Sequence, residues 1–247
     1  MRENFLFMDP WSAPARVKIL HRRPVYVCLS GNSGAGKSTL LRKIAVALYQ
    51  EDEHTLAIDE KAVHHHLLPY LFDDTPRYGY LIQLNFMIQR ALLIKSWLEQ
   101  GYNLVMERSH VEDYIFINFL RRAEYITASQ YESYMALWRE IAKLLPDPDV
   151  IVLMDFDLHH SLNNLNRDEQ CGIRPQEFPD EAMKEKWLGG WHDEYQTFIT
   201  NLPDSQQARV VKFSAADTVE KLSDKVLGNI REIRSSHASK DYCLSDY

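Results

Sequence analysis

Cysteine is scarce in this sequence. Three occur among 247 residues, Cys28, Cys171 and Cys243, odd in number and far apart. That suggests neither a disulfide framework nor zinc-ligand spacing, and it fits a reducing cytoplasm. Positive charge is also in deficit. The 28 Lys and Arg are outnumbered by 35 Asp and Glu, a formal charge of -7, whereas a surface that grips nucleic-acid backbone needs clustered cations. Polymeric nucleic acid is therefore not an expected partner. No uncharged run reaches the roughly 18 residues of a membrane-spanning helix. The first residues carry Arg2, Glu3 and Asp9, so neither insertion nor export is expected. Internal repeats and low-complexity tracts are absent too.

What is present is apolar sequence in regular alternation. With 45% hydrophobic and 26% charged residues, the chain can bury an ample core, and its length suits one α/β domain. Short apolar runs alternate with longer segments of helical period, the pattern of a parallel sheet covered by helices. Five strands are expected, at Pro24 to Ser30, His54 to Ile58, Tyr102 to Met106, Asp149 to Asp155 and Arg209 to Phe213. Helices are expected near Lys37 to Gln50, Pro76 to Gln100, Val111 to Ala123, Ser129 to Leu145, Pro179 to Ile199 and Thr218 to Arg234. The domain then covers residues 24–234, after an N-terminal extension (residues 1–23) and before a flexible tail (residues 235–247).

The run Gly31-Asn32-Ser33-Gly34-Ala35-Gly36-Lys37-Ser38-Thr39 satisfies the P-loop pattern, and it lies between an expected strand and an expected helix as that motif requires. It predicts a three-layer P-loop fold, a five-stranded parallel sheet flanked by helices, with ATP as the default ligand. Glycines let backbone N–H groups turn inward on the phosphates, and the helix N-terminus adds its positive dipole. Lys37 reaches the transferring phosphoryl group, and Ser38 is the expected magnesium ligand. An ordinary glycine turn is the competing reading. The third strand runs into Glu107-Arg108-Ser109, placing a carboxylate, Glu107, where it can hold magnesium or its water. Ser109 with Glu112 three residues on predicts a capping box that starts the next helix and fixes Glu107 and Arg108. The alternative pairs Arg108 with Glu107 or Glu112 on the surface.

The P-loop, then Asp59-Glu60, then Gln83 with Arg90, then Glu107-Arg108-Ser109 with Asp113, together resemble the deoxynucleoside kinase family. The similarity runs from about Pro24 to Phe213, and segments such as Leu67 to Phe72 and Arg77 to Gln83 look like its bacterial deoxyadenosine/deoxyguanosine kinase branch. The resemblance implies salvage-type phosphorylation of a nucleoside 5′-hydroxyl by ATP with magnesium, in a homodimer. It makes Glu60 the general base, with Asp59 as fallback. A primary hydroxyl is a poor nucleophile until a carboxylate in hydrogen-bond reach takes its proton. It makes Arg108 and Lys37 catalytic partners, has Gln83 pair with the base, and has Asp113 hold Arg90 against the base's other edge. Gln83 and Arg90 are two helical turns apart and so share a face of a very apolar helix, where polar side chains need partners. An internal Arg90–Asp113 ion pair without ligand is the competing reading.

The sequence departs from the family in the lid, about residues 161–176, where several arginines are expected. Arg167 occupies one such position, Ser161 and Leu165 occupy others, and Arg174 is a possible replacement. For the sugar 3′-hydroxyl the family uses a tyrosine and a lid glutamate. Phe72 and Gln170 stand there, with Tyr70 and Glu169 close by, so the sugar end of the substrate is expected to be handled unusually. His64-His65-His66 cannot all face one ion and read as surface or packing residues. Trp187, Trp191 and Tyr195 recur at helical spacing, as do core or subunit contacts, and Trp97 and Trp138 read the same way. Two alternatives remain open: a P-loop kinase for another hydroxyl metabolite or a nucleotide, and a kinase-like nucleotide binder without turnover.

Overall fold

The structure is a computed structural model that describes residues 23–63, 66–214 and 217–237. Five strands, β1 (Tyr26–Gly31), β2 (Thr55–Ile58), β3 (Asn103–Glu107), β4 (Val150–Met154) and β5 (Val210–Phe213), form one sheet in the order β2-β3-β1-β4-β5. All neighbouring pairs are parallel. β1, β3 and β4 are buried along their whole length, which is why they read as unbroken apolar runs rather than alternating ones. The expected strands match these to within two residues at each end. β1 pairs with β3 on one side and β4 on the other, with Leu29 opposite Glu107 and Ser30 opposite Leu153. The chain reverses its winding direction there, so a crevice opens beyond the carboxyl ends of β1 and β3.

Helices cover both faces. On one, α1 (Lys37–Glu51) and α9 (Val219–His237) pack Leu40, Ile44 and Leu48 with Val226 and Ile230 against the sheet. On the other lie α3 (Thr75–Glu99), α4 (Asp113–Arg122) and α7 (Glu181–Asn201), around a core that includes Met87, Ile115, Phe119 and Trp187. This is the expected three-layer arrangement. α3 starts where Asp74 accepts from the Arg77 amide and Pro76 occupies the first turn, a position whose N–H is an orphan in any case. α5 (Ala128–Ala142) starts with a complete capping box between Thr127 and Gln130.

Several expectations are corrected. The Ser109 box does not form: the Ser109 side chain makes no cap bond, and a 3-10 turn, His110–Glu112, precedes α4. Glu112 is fully buried and its carboxylate accepts from the Ser30 hydroxyl, a tertiary partner that the local pattern could not reveal. The expected lid, about residues 161–176, comprises most of a helix, α6 (Leu158–Gln170), capped by Asp157, and the loop after it, with Gly172 at φ 67. Short helices α2 (Leu68–Asp73) and α8 (Asp204–Gln207) had no expectation. α9 continues through His237, so Ser235 and Ser236 belong to a helix rather than to a tail. Residues 1–22 and 238–247, and with them nearly all of both expected flexible ends, lie outside the described residues, as do His64 and His65.

Candidate active site

The P-loop turns on three glycines with positive φ, Gly31 (143), Gly34 (76) and Gly36 (84), a conformation L side chains rarely adopt. Space excludes a side chain at Gly34 as well, because a Cβ there would stand 2.3 Å from the Ser161 carbonyl oxygen. α6 is thus packed directly on the loop, and Asn164 donates to the Gly34 carbonyl at 3.0 Å. Asn32 ties the loop to α7 by donating to the Leu188 carbonyl at 2.9 Å. Lys37 folds back and donates from Nζ to the carbonyls of Gly31 and Asn32, at 3.1 and 2.8 Å. Burial, and after it the Arg108 guanidinium, pulls the Lys37 ammonium down to about 7, against the opposing pull of Glu107 and Glu112. Ser38 and Thr39 are exposed in the first turn of α1.

At the end of β3, Glu107 is buried and Arg108 adopts φ 60. A left-handed arginine is uncommon and persists only where its surroundings hold it. They do here. Its guanidinium forms an ion pair with Glu60, donates to the Tyr195 hydroxyl at 3.4 Å and lies 4.5 Å from the Phe116 ring centroid, a favourable cation–π placement. Glu60 begins the 3-10 turn Glu60–Val63 that follows β2.

One cleft gathers Ser33 of the P-loop with Glu60, Arg108, Gln83, Arg90 and Phe72. All of these were candidates from sequence. Arg90 and Asp113 form an ion pair with both side chains 2% exposed, and Arg90 Nε is buried without a hydrogen-bond partner among the described residues. A buried charged donor without a partner is costly, and Arg90 also lines the cleft. Gln83 is 4% exposed. Their apolar neighbours Phe86, Phe116 and Trp191 complete the walls. Trp191 is both the core residue expected and a cleft residue. Asp59 is buried and does not line the cleft.

Three candidates lie elsewhere. Tyr70 is 50% exposed because α2 turns Leu71 and Phe72 inward, and its ring leans on Tyr78 instead. Glu169 is drawn to the buried Lys184 ammonium at 2.7 Å. Arg167 is on the outer face of α6, its side chain 65% exposed and 3.3 Å from Asp168, since Ser161 and Leu165 take the inner face. Arg174, from the loop after α6, is the lid arginine that reaches the phosphate loop. It donates to Ser33 Oγ at 3.1 Å and to Glu177 at 2.5 Å, and both residues line the cleft. Glu177, one residue beyond the expected lid, had no sequence signal.

A model of the deoxynucleoside kinase family matches residues 27–234. The chain belongs to the deoxynucleoside kinase family. Among similar proteins, the deoxyadenosine/deoxycytidine kinase of Bacillus subtilis is 27% identical over 177 residues, covering 70% of this chain and 76% of its own. The deoxyadenosine kinase of Dictyostelium discoideum is 20% identical over 210 residues, 85% of this chain and 80% of its own. In fold, the chain is similar to the deoxyadenosine kinase of M. mycoides solved with bound dCTP, with TM-score 0.64 and 14% identity over 83% of this chain and 98% of that one. In this deoxynucleoside kinase fold, Glu60, Arg108, Gln83 and Arg90 share a single cleft with Ser33 of the glycine-rich loop. No group of three or more His, Cys, Asp or Glu able to hold an ion occurs among the described residues. Magnesium handled by one carboxylate, one hydroxyl and substrate phosphates needs no such cage, and Glu107 with the exposed Ser38 fits that requirement.

His110, next to this site, is 2% exposed, and burial, reinforced by Arg90, pushes its imidazole down to about 4. The folded value lies below the unfolded value of about 6.5, so His110 contributes stability that is fully present above pH 6.5 and lost as pH falls toward 4, roughly 3 kcal/mol in all. Glu112, raised to about 7 by burial, changes stability in the opposite sense over the same range, so the His110 share is read from the variant. Between pH 7 and pH 5 the urea-unfolding free energy of the parent should fall more, or rise less, than that of His110→Gln.

Proposed function

We propose that this chain transfers the γ-phosphoryl group of ATP to the 5′-hydroxyl of a nucleoside or deoxynucleoside. The observation that carries the reading is the shared cleft, where Glu60, Gln83 and Arg90 face the same space as Ser33 of the phosphate loop. Gln83 and Arg90, the latter held by Asp113, hydrogen-bond the base edge while Phe116 and Trp191 flank it. Arg108 orients Glu60, which accepts the hydroxyl proton as the new O–P bond forms and the bond to the β-phosphate oxygen breaks, releasing ADP. Lys37 leaves its own loop carbonyls for the phosphates, and Arg174 adds a second cation. Ser38 and Glu107 would hold magnesium, which supplies charge neutralisation on the phosphate oxygens. A nucleotide acceptor fits less well, because Glu60 and Glu177 would face its phosphate. The outward-facing Arg167 is what favours the second reading, a nucleotide binder without turnover. A radiolabelled phosphate-transfer screen across purine and pyrimidine nucleosides decides between them. Transfer above a Lys37→Ala background is expected; none with any nucleoside overturns the proposal.

The proposed protein is a cytoplasmic homodimer. Free Cys28 and Cys171 suit a reducing compartment. On α3, Leu81, Ile88 and Leu92 are 61%, 43% and 60% exposed, and Leu137 on the adjacent α5 is 40% exposed. Spacings of seven and eleven align the first three as one apolar stripe, a feature monomers seldom display. The double variant Leu81→Asp, Leu92→Asp is expected to sediment as a monomer at concentrations where the parent sediments as a dimer.

A further inference from the structure

Glu112 is a fully buried carboxylate to which the mechanism above gives no task. It closes the 3-10 turn after β3 and directly precedes Asp113, the partner of Arg90. Its Oε2 accepts from the hydroxyl of Ser30, the last residue of β1 before Gly31, whose carbonyl holds Lys37. Its other oxygen, Oε1, is buried without a hydrogen-bond partner among the described residues. Charged and titratable groups from every side act on it: Lys37 from α1, Arg90 from α3 and Arg108 from the end of β3, with Cys28 of β1 and Tyr195 of α7 beyond them. Glu112 therefore connects the two halves of the site by two short routes, through the backbone to Asp113 and Arg90, and through one hydrogen bond to the root of the phosphate loop.

We propose that Glu112 is a positioning residue that couples acceptor binding to the phosphate loop through its hydrogen bond with Ser30. When a base engages Arg90, the adjoining turn settles, and the Ser30 bond transmits that to Gly31 and hence to the carbonyl that Lys37 must leave. Packed elements that share a side-chain bond where two sites meet can have their equilibrium biased from either side, which is the physical content of coupling between sites. The inference rests on the kinase reading.

The test compares Ser30→Ala, Glu112→Ala, Glu112→Gln and the double variant Ser30→Ala, Glu112→Ala. Calorimetry measures the affinity for a nucleoside substrate with and without a non-hydrolysable ATP analogue, alongside steady-state kinetics. In the parent, the analogue should tighten nucleoside binding severalfold. Ser30→Ala and Glu112→Ala should abolish that tightening and lower kcat by about three- to tenfold, the range of one hydrogen bond, while the KM for nucleoside changes less than kcat. The double variant should be no worse than either single one. Glu112→Gln keeps an acceptor for Ser30 and should restore coupling, which a role for the charge alone would not allow. If Glu112→Ala does not fold, Ser30→Ala and Glu112→Gln carry the test. The inference is overturned if the parent shows no coupling, if Ser30→Ala behaves as the parent, or if Glu112→Gln fails to restore coupling. Absence of phosphorylation by the parent removes the kinase reading and this inference together, whereas phosphorylation with unaltered coupling in the variants removes this inference alone.

Discussion

Replacing Lys37 with alanine should lower kcat by about 10²- to 10³-fold, the usual cost of removing one preorganised charge-stabilising donor, while leaving nucleoside binding within about threefold of the parent, well under the tenfold that 1.4 kcal/mol would produce. The split follows from position. Lys37 is anchored in the first turn of α1 and its ammonium reaches the carbonyls of Gly31 and Asn32, on the donor side of the site. Glu60, Gln83, Arg90 and Arg108 line the cleft to which the proposed function assigns the nucleoside, and Lys37 does not. Folding should survive. The ammonium is buried at a cost, shown by the downward pull of burial on its proton affinity, so the lost bonds to two loop carbonyls are partly offset by the charge that no longer needs burying. Stopped-time transfer assays with calorimetry on the same preparation check both halves. Near-parental turnover would remove the phosphate loop from the mechanism.

How far the site could be read from sequence depended on how local its causes were. The P-loop was legible because its glycines, lysine and flanking elements are contiguous, and β1, β3 and β4 were legible because a strand buried on both faces must be apolar throughout. Gln83 and Arg90 were legible because seven residues return a helix to the same face. Glu169, Arg167 and Tyr70 escaped for one common reason: the direction of each side chain was decided by a partner distant in sequence or by a neighbour's claim on the core. Lys184, fifteen residues on, captured Glu169. Packing of Ser161 and Leu165 beneath the lid helix, where Gly34 touches Ser161, turned Arg167 outward and left Arg174 to meet Ser33. Glu112 satisfied a capping pattern locally, yet Ser30, 82 residues earlier, took its carboxylate.

Glu60→Gln should reduce kcat by about 10²- to 10⁴-fold, the usual span for a general base, with little change in KM for nucleoside. The amide has the carboxylate's shape and can still accept from Arg108, so the left-handed turn at Arg108 and its contacts with Tyr195 and Phe116 have no cause to rearrange. What is lost is the site that receives the hydroxyl proton. Glu60→Ala is the less informative variant, because it also strips the Arg108 guanidinium of its carboxylate partner, and a buried charge without its counter-ion costs stability in its own right. The two substitutions together separate the roles. If Glu60→Gln retains most of the parental kcat while Glu60→Ala does not, Glu60 serves to hold Arg108 and proton removal lies elsewhere, with Asp59 the next carboxylate to test. If both collapse to a similar kcat and Glu60→Gln keeps the parental melting temperature, the proton-accepting role stands.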